Sequence, residues 1–130
     1  MDILIDSQVV IWLAENNPNL GPSSNHLIHN TVNRIFISYF SLLELIMKKG
    51  AGKLVFELTA IDDLENNGVT VVYPDRALLK EYKVFKQDNK DPFDNAIITH
   101  AILNKATLLA ADRKILATKA PGLKLMDARL

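Results

Sequence analysis

The stretch "DILIDSQVVIWLAE", residues 2–15, decides the fold class. It predicts a short buried strand over Ile3 to Ile5, which ends at Asp6 and is followed almost at once by an apolar helix. The stretch "ATLLAADRKIL", residues 106–116, has the same arrangement, with a buried strand that passes into Asp112 and a short helix. Strands that turn directly into helices belong to βαβ units. The two junctions therefore predict a mostly parallel sheet.

The rest of the chain supplies further elements of both kinds. Strands are predicted in "RIFIS", "VTVVYP" and "LKLMD", residues 34–38, 69–74 and 123–127, the last at an edge of the sheet. Helices are predicted from about Pro22, from Ser38 or a Ser41–Glu44 capping box, over Leu54–Glu65, and over Asp75–Lys86. Short strands alternate with helices, and no linker divides the chain. We expect one α/β domain over residues 1–130, with helices on both faces of the sheet.

Composition restricts the chemistry. The chain has 130 residues and no cysteine, so any metal must be held by carboxylates or histidines. It carries 15 basic and 15 acidic residues, which does not indicate a basic coat for nucleic acid. No apolar run approaches the roughly 20 residues of a membrane helix, and no signal peptide is apparent. We expect a cytoplasmic protein without a membrane segment.

The stretch "KDPFDNAIITHAI", residues 90–102, contains two aspartates with different expected positions. Asp91 stands before a proline suited to the first turn of a helix, and is predicted to be the N-cap. Asp94 precedes Ile97 by three residues and Ala101 by seven, so it shares the apolar face of the same helix. Asp94 is therefore predicted to face inward.

Four acids are candidates for one crevice. Asp6 and Asp112 follow strands, Asp94 faces inward, and Glu44 adjoins the apolar face of "FSLLELIMKK". Taken singly, each is more simply a helix cap or a surface charge. Together they would repel, by roughly 4 kcal/mol for two charges 4 Å apart at an effective dielectric constant near 20, so the cluster needs divalent cations or raised pKa values. Oxygen ligands favour Mg²⁺ or Mn²⁺, and the matching chemistry is metal-assisted phosphodiester hydrolysis.

These segments resemble, in order and spacing, the PIN domains and more closely the VapC-like toxins of type II toxin-antitoxin systems. The matching stretches are "LIDSQVVIWL", "ISYFSLLELIMKKGAGKL", "DPFDNAIITHAILNKATLLAAD" and "ADRKI". The resemblance implies an α/β/α sandwich, a Mg²⁺- or Mn²⁺-dependent endoribonuclease, a homodimer, and a cognate antitoxin that masks the acidic crevice. It also implies roles for Asp6, Glu44, Asp94 and Asp112 as catalytic metal ligands, and for Ser7 in orienting Asp6 or a metal-bound water.

Other side chains have simpler expectations. Asp91→Asn is expected mainly to cost modest stability, whereas Asp94→Asn is expected to abolish cleavage with the fold intact. His100 is predicted to be structural, and Trp12 to pack in the core or in a dimer interface. Basic residues that are candidates for contacts with RNA phosphate are Arg113, Lys114, Lys48, Lys49 and Lys53.

Two rival hypotheses remain at this stage. A PIN-like fold without activity can serve as an RNA- or protein-binding module, although such a module has no need to gather repelling carboxylates. A phosphorylation receiver also carries acids at strand ends, but usually a pair after its first strand, whereas here Ser7 follows Asp6.

Overall fold

The computed structural model describes residues 1–52, 57, 59–83 and 90–130, and these contain five strands and seven helices. The strands are β1 (Asp2–Ile5), β2 (Arg34–Ser38), β3 (Thr70–Val72), β4 (Thr107–Ala110) and β5 (Lys124–Asp127). The helices are α1 (Ser7–Glu15), α2 (Pro22–His29), α3 (Tyr39–Gly50), α4 (Thr59–Asn66), α5 (Arg76–Glu81), α6 (Pro92–Leu103) and α7 (Arg113–Leu116).

The strands form one sheet in the order β3-β2-β1-β4-β5, and all four neighbouring pairs are parallel. The predicted mostly parallel sheet is therefore confirmed, as is the edge position of the last strand. Because the strands are parallel, all of them end on the same side of the sheet, which we call the carboxyl edge. β1 lies in the centre, so the residue after it stands in the middle of that edge.

Side chains of the central strand alternate between two hydrophobic cores. Ile3 and Ile5 lie on one face with Val9 of α1, and Leu4 lies on the other with Ile97 of α6. This period of two is the geometry of a strand, and it explains why β1 is apolar at every buried position. The expected helices on both faces of the sheet, and hence the α/β/α sandwich, are confirmed.

Helix boundaries agree with the predictions at some positions and differ at others. α2 begins at Pro22, and α3 begins after Ser38, whose hydroxyl accepts a hydrogen bond from Phe40 N at 3.1 Å. The predicted helix from Asp75 is shorter, since α5 ends at Glu81. The predicted helix over 54–65 is observed only as α4, and residues 53–56, 58 and 84–89 lie outside the described residues.

Trp12 belongs to the core on the α1 face and is 8% exposed, so the predicted core packing is confirmed. Helix α6 is buried along almost its whole length, because it fills the groove between the sheet, α3 and α5. Within the described ranges, no helix is both long and apolar enough to cross a membrane.

Candidate functional site

Asp6 lies at the middle of the carboxyl edge, directly after β1, and is 1% exposed. One oxygen, Oδ1, accepts a hydrogen bond from Val9 N at 2.9 Å and so caps α1. The other, Oδ2, accepts from Ala111 N at 2.8 Å and from Asp112 N at 3.2 Å. The carboxylate is thus fixed by three backbone groups, two of which come from the neighbouring strand end.

Burial raises the pKa of Asp6, because a charged carboxylate is disfavoured away from water. The three backbone N–H groups act in the opposite direction, and the negative charge of Asp112 adds to the increase. The fold therefore makes the ionised form of Asp6 less favourable than it is in water. A bound cation would offset this effect by supplying a positive charge.

Asp112 follows β4 and is exposed. Its Oδ1 accepts hydrogen bonds from Lys114 N at 2.8 Å and Ile115 N at 3.3 Å, so that it caps α7. Because β1 and β4 are paired, Asp6 and Asp112 stand side by side, as the two sequence junctions predicted. Both acids are helix N-caps, which confirms the simpler reading of each acid taken singly, since an aspartate immediately before a helix is the sequence signal for a cap.

A second group of acids lies where α3 packs against the beginning of α6. Carboxylate oxygens of Glu44, Asp91 and Asp94 all lie within 4.8 Å of one another. Asp94 is buried, which confirms its predicted inward orientation, whereas Glu44 and Asp91 are half-buried. Since α6 leads into a parallel strand, its beginning points toward the carboxyl edge.

Asp91 has the predicted role of helix cap and a second location that was not predicted. Its Oδ1 accepts hydrogen bonds from Phe93 N at 2.8 Å and Asp94 N at 3.3 Å, which confirms the N-cap. Its carboxylate also belongs to the group with Glu44 and Asp94. Residues three apart at the start of a helix are neighbours, so the spacing of Asp91 and Asp94 carried this signal. The predicted division between a structural and a chemical aspartate was incomplete.

Among the described residues, the acids that meet within 4.8 Å are Glu44, Asp91 and Asp94, and that group does not include Asp6 or Asp112. The four predicted site acids are therefore arranged as two sets, one at the ends of β1 and β4 and one between α3 and α6. Every oxygen in both sets is a carboxylate oxygen, which suits Mg²⁺ or Mn²⁺. The buried hydroxyl of Ser7, next to Asp6, has no hydrogen-bond partner within the described part of the chain. A free polar atom beside a buried acid fits a site that takes a hydrated ion.

The predicted basic residues lie in three different situations. Arg113 and Lys114 are exposed in the first turn of α7, directly after Asp112. Lys48 is exposed in the last turn of α3, and Lys49 Nζ lies 3.8 Å from Glu57 Oε2. Lys53 lies outside the described residues.

His100 is buried on α6, and its Nδ1 lies 2.8 Å from the hydroxyl of Ser38 at the end of β2. Burial lowers its pKa, although the charge of Asp75 acts in the opposite direction. The ring of Phe40 packs 5.7 Å from the imidazole, between ring centroids. These contacts confirm the predicted structural role.

One arginine at the carboxyl edge was missed. Arg129 follows β5, and its Nη2 donates a hydrogen bond to the carbonyl oxygen of Ala111 at 2.9 Å. The predicted strand "LKLMD" placed the chain end at this edge, but nothing in the sequence indicated the contact.

Comparison with known proteins agrees with this geometry. The PIN domain family model matches residues 3–121. The chain belongs to the PIN domain family. Membership in this family supports a nuclease, a hydrolase of nucleic acid. No curated protein matches the chain.

Solved structures show the same fold at low sequence identity. VapBC-1 from nontypeable Haemophilus influenzae is similar with a TM-score of 0.70 and 23% identity, over 98% of each chain. VapBC2 from Rickettsia felis, bound to a DNA fragment from its promoter, gives 0.69 and 19%, over 97% of this PIN domain and 98% of that chain. DNA-bound VapBC from Salmonella typhimurium gives 0.69 and 20%, over 98% of each chain. The resemblance to VapC-like proteins therefore extends to the whole PIN fold.

Proposed function

We propose that the protein is a Mg²⁺- or Mn²⁺-dependent endoribonuclease and the toxin of a type II toxin-antitoxin pair. The observation that carries the proposal is the pair of acidic sets, in which a buried Asp6 with a raised pKa stands beside Asp112 while Glu44, Asp91 and Asp94 share one small space. Such a concentration of negative charge is unfavourable for the fold alone. It is useful where a cation and a phosphodiester must be held together.

The ion would be held by Asp6, Glu44, Asp94 and Asp112. Asp91, which belongs to the same group as Glu44 and Asp94, would be a further candidate ligand. When bound, Mg²⁺ or Mn²⁺ offsets the charge that builds on a phosphodiester during hydrolysis and lowers the pKa of a water molecule. Ser7, which is buried and adjacent to Asp6 in the sequence, would orient Asp6 or that water.

The chain's own residues supply orientation and charge. Backbone N–H groups fix both oxygens of Asp6, so this carboxylate does not have to reorganise when substrate binds. Arg113 and Lys114, exposed beside Asp112, would bind phosphates of the RNA strand on either side of the scissile bond. The remaining candidates for phosphate contacts, Lys48, Lys49 and Lys53, lie one turn or more beyond Glu44 in the sequence.

The partners of the proposed toxin follow from the same comparisons. Structures of VapBC complexes share its fold, which supports a cognate antitoxin as the protein partner. A homodimer is supported by exposed apolar side chains on α3 and beside it, namely Tyr39, Ile46, Met47 and Tyr73. An RNA substrate of this kind would be met in the cytoplasm.

The test is cleavage of a set of defined RNAs by the purified chain, with Mg²⁺ or Mn²⁺ and with a chelator, for the wild type, Asp6→Asn and Asp94→Asn. We expect cleavage only by the wild type and only with metal, while circular dichroism shows that both variants are folded. Metal-independent cleavage that persists in both variants would overturn the proposal.

The alternative is a PIN-like RNA- or protein-binding module without activity. The observation in its favour is that Asp6, Asp91 and Asp112 each cap a helix, so that three of the acids also have a structural role. Capping alone does not require Asp6 to be buried with a raised pKa, nor Glu44 to meet Asp94. Absence of cleavage by the folded wild type across many RNAs, together with RNA binding that survives chelation, would favour this module.

A further inference from the structure

Arg129 is held at the carboxyl edge by three different contacts. Its Nη2 donates to Ala111 O at 2.9 Å, and its Nη1 lies 3.2 Å from Asp127 Oδ1. The guanidinium also lies over the ring of Trp12, 5.6 Å from its centroid. A planar cation that is stacked on an aromatic ring and paired with a carboxylate keeps a defined orientation. Arg129 is thus a fixed group, although 37% of its side chain is exposed.

The carbonyl that Arg129 binds belongs to the peptide between Ala111 and Asp112. The N–H of the same peptide is that of Asp112, and it donates to Asp6 Oδ2. One peptide group therefore lies between the guanidinium and the carboxylate, with its oxygen toward the cation and its hydrogen toward the anion. Hydrogen bonds in such a chain polarise one another, so the cation strengthens the N–H as a donor to Asp6.

The other contacts of Arg129 connect it to helix α1 and to strand β5. Trp12 lies on α1, the helix that Asp6 caps, and Asp127 ends the strand next to β4. The guanidinium consequently joins α1, β4 and β5 at the point where the two acids meet. Loss of this group would leave the Ala111–Asp112 peptide held on one side only.

We infer that Arg129 is a positioning residue, which holds the Ala111–Asp112 peptide so that Asp6 and Asp112 keep the geometry needed for the metal-dependent step. This inference rests on the proposed function. Arg129 acts through the peptide, without contact with RNA. Its replacement lowers the rate of the chemical step and leaves substrate affinity nearly unchanged.

Arg34 provides a matched control within the same chain. It pairs with Asp2 through two hydrogen bonds of 2.8 and 2.7 Å, and its guanidinium lies 5.7 Å from the centroid of the Phe36 ring. It therefore has the same kinds of partner as Arg129, an aspartate and an aromatic ring. It lies, however, at the beginning of β2, at the end of the sheet opposite the carboxyl edge and its acids.

The experiment compares wild type, Arg129→Ala, Arg129→Lys and Arg34→Ala in steady-state RNA cleavage with saturating Mg²⁺. For Arg129→Ala we expect kcat to fall roughly 10- to 100-fold, as for other residues that orient metal ligands, with KM within about twofold. Arg129→Lys keeps a cationic donor for Ala111 O and is expected to recover part of the loss. Arg34→Ala is expected to retain the wild-type kcat and KM.

A second measurement does not depend on activity. Hydrogen exchange of the Asp112 amide, followed by NMR in the metal-free protein, is expected to accelerate in Arg129→Ala and to stay unchanged in Arg34→Ala. A rise in KM with unchanged kcat would make Arg129 an RNA contact, and equal losses in the two alanine variants would make its role purely structural. Either result overturns the inference, as does unchanged exchange at Asp112. If the folded wild type cleaves no RNA, the proposed function fails, and the exchange experiment still decides whether Arg129 holds the peptide.

Discussion

The two ends of strand β1 carry aspartates in opposite situations. Asp2, at the beginning, is bound by Arg34, and this hydrogen-bonded cation lowers its pKa. Asp6, just past the end, is buried among backbone N–H groups and beside Asp112, and its pKa is raised. An acid whose charge is matched by a partner on the surface has a structural explanation. An acid buried beside another acid is the one whose ionised form a bound cation would stabilise.

The contrast between the two aspartates is tested most directly by replacing each of them with asparagine. Asp6→Asn is expected to reduce the rate of RNA cleavage by more than about 100-fold, because even residues that only orient a metal ligand cost up to that much. Asp2→Asn is expected to leave the rate unchanged. Both changes remove one negative charge, so a difference between their cleavage rates reflects the position of the acid and not the net charge of the protein. The measurement is initial cleavage rate at fixed Mg²⁺ with melting temperatures as the control for folding. Equal rates in the two variants would contradict the assignment of Asp6.

The same contrast can be made within helix α6. Asp94→Asn is expected to abolish cleavage with the fold intact. Asp91→Asn keeps an N-cap, since asparagine caps about as well as aspartate, and is expected to lose roughly tenfold in rate because its carboxylate belongs to the acidic group. Asp91→Ala in addition loses the cap, at about 1 kcal/mol. Wild-type activity in a stable Asp91→Asn protein would restore the simpler view of Asp91 as a cap alone.

Divalent cations are expected to stabilise the protein by binding at the carboxyl edge, and this stabilisation is expected not to depend on Asp2 at the other end of β1. We expect Mn²⁺ to raise the melting temperature of the wild type and of Asp2→Asn, and to have little effect on Asp94→Asn. At a concentration 100 times the dissociation constant, a single bound ion adds about 2.7 kcal/mol to the free energy of unfolding. Differential scanning fluorimetry with Ca²⁺ and Na⁺ as controls measures this. An equal rise in the Asp94 variant would place the ion elsewhere.

The smallest expected effect concerns His100, which lies beneath the carboxyl edge against Ser38. Because burial lowers its pKa in the folded state, the unfolded chain binds more protons below the ordinary value of 6.5. The contribution of neutral His100 to the free energy of unfolding is therefore fully present above about pH 6.5. It is lost as the pH falls toward the lower pKa of the folded state. The slope does not exceed about 1.4 kcal/mol per pH unit, the value for one proton.

The variant His100→Gln separates this group from the acids. Urea unfolding between pH 5.5 and 7.5 should show a smaller loss of stability on acidification in the variant than in the wild type. An unchanged slope would assign the acid sensitivity to the carboxylates of the edge instead.

Sequence reasoning succeeded where local pattern and tertiary position coincide. Apolar runs such as "ILI" and "TLLA" are long enough only for buried strands, and an acid that follows each within two residues has to lie near the end of a parallel strand. The helical phase of Ile97 and Ala101 placed Asp94 correctly. These positions follow from the periods of strands and helices, which depend on nearby residues alone.

The same reasoning was incomplete where the decisive contact joins distant parts of the chain. Asp91 was assigned one role because its cap signal is local, whereas its approach to Glu44 depends on how α3 packs on α6. Arg129 was missed since its partner, Ala111, is 18 residues away, just after the end of β4. The predicted four-acid crevice was incomplete for the same reason. The sequence predicted which acids belong to the site, but it did not show that two of them lie at strand ends and two on helices.

The three helix caps among the acids bear on how this protein can change during evolution. Asp6, Asp91 and Asp112 each begin a helix, and at Asp91 and Asp112 a single oxygen does the capping. A one-base change in an aspartate codon gives asparagine, which keeps that oxygen and removes the charge. A lineage can therefore lower the activity of such a domain without losing its fold, and regain it by the reverse change. Descendants with lowered activity are expected to carry asparagine at positions 91 and 112 more often than alanine.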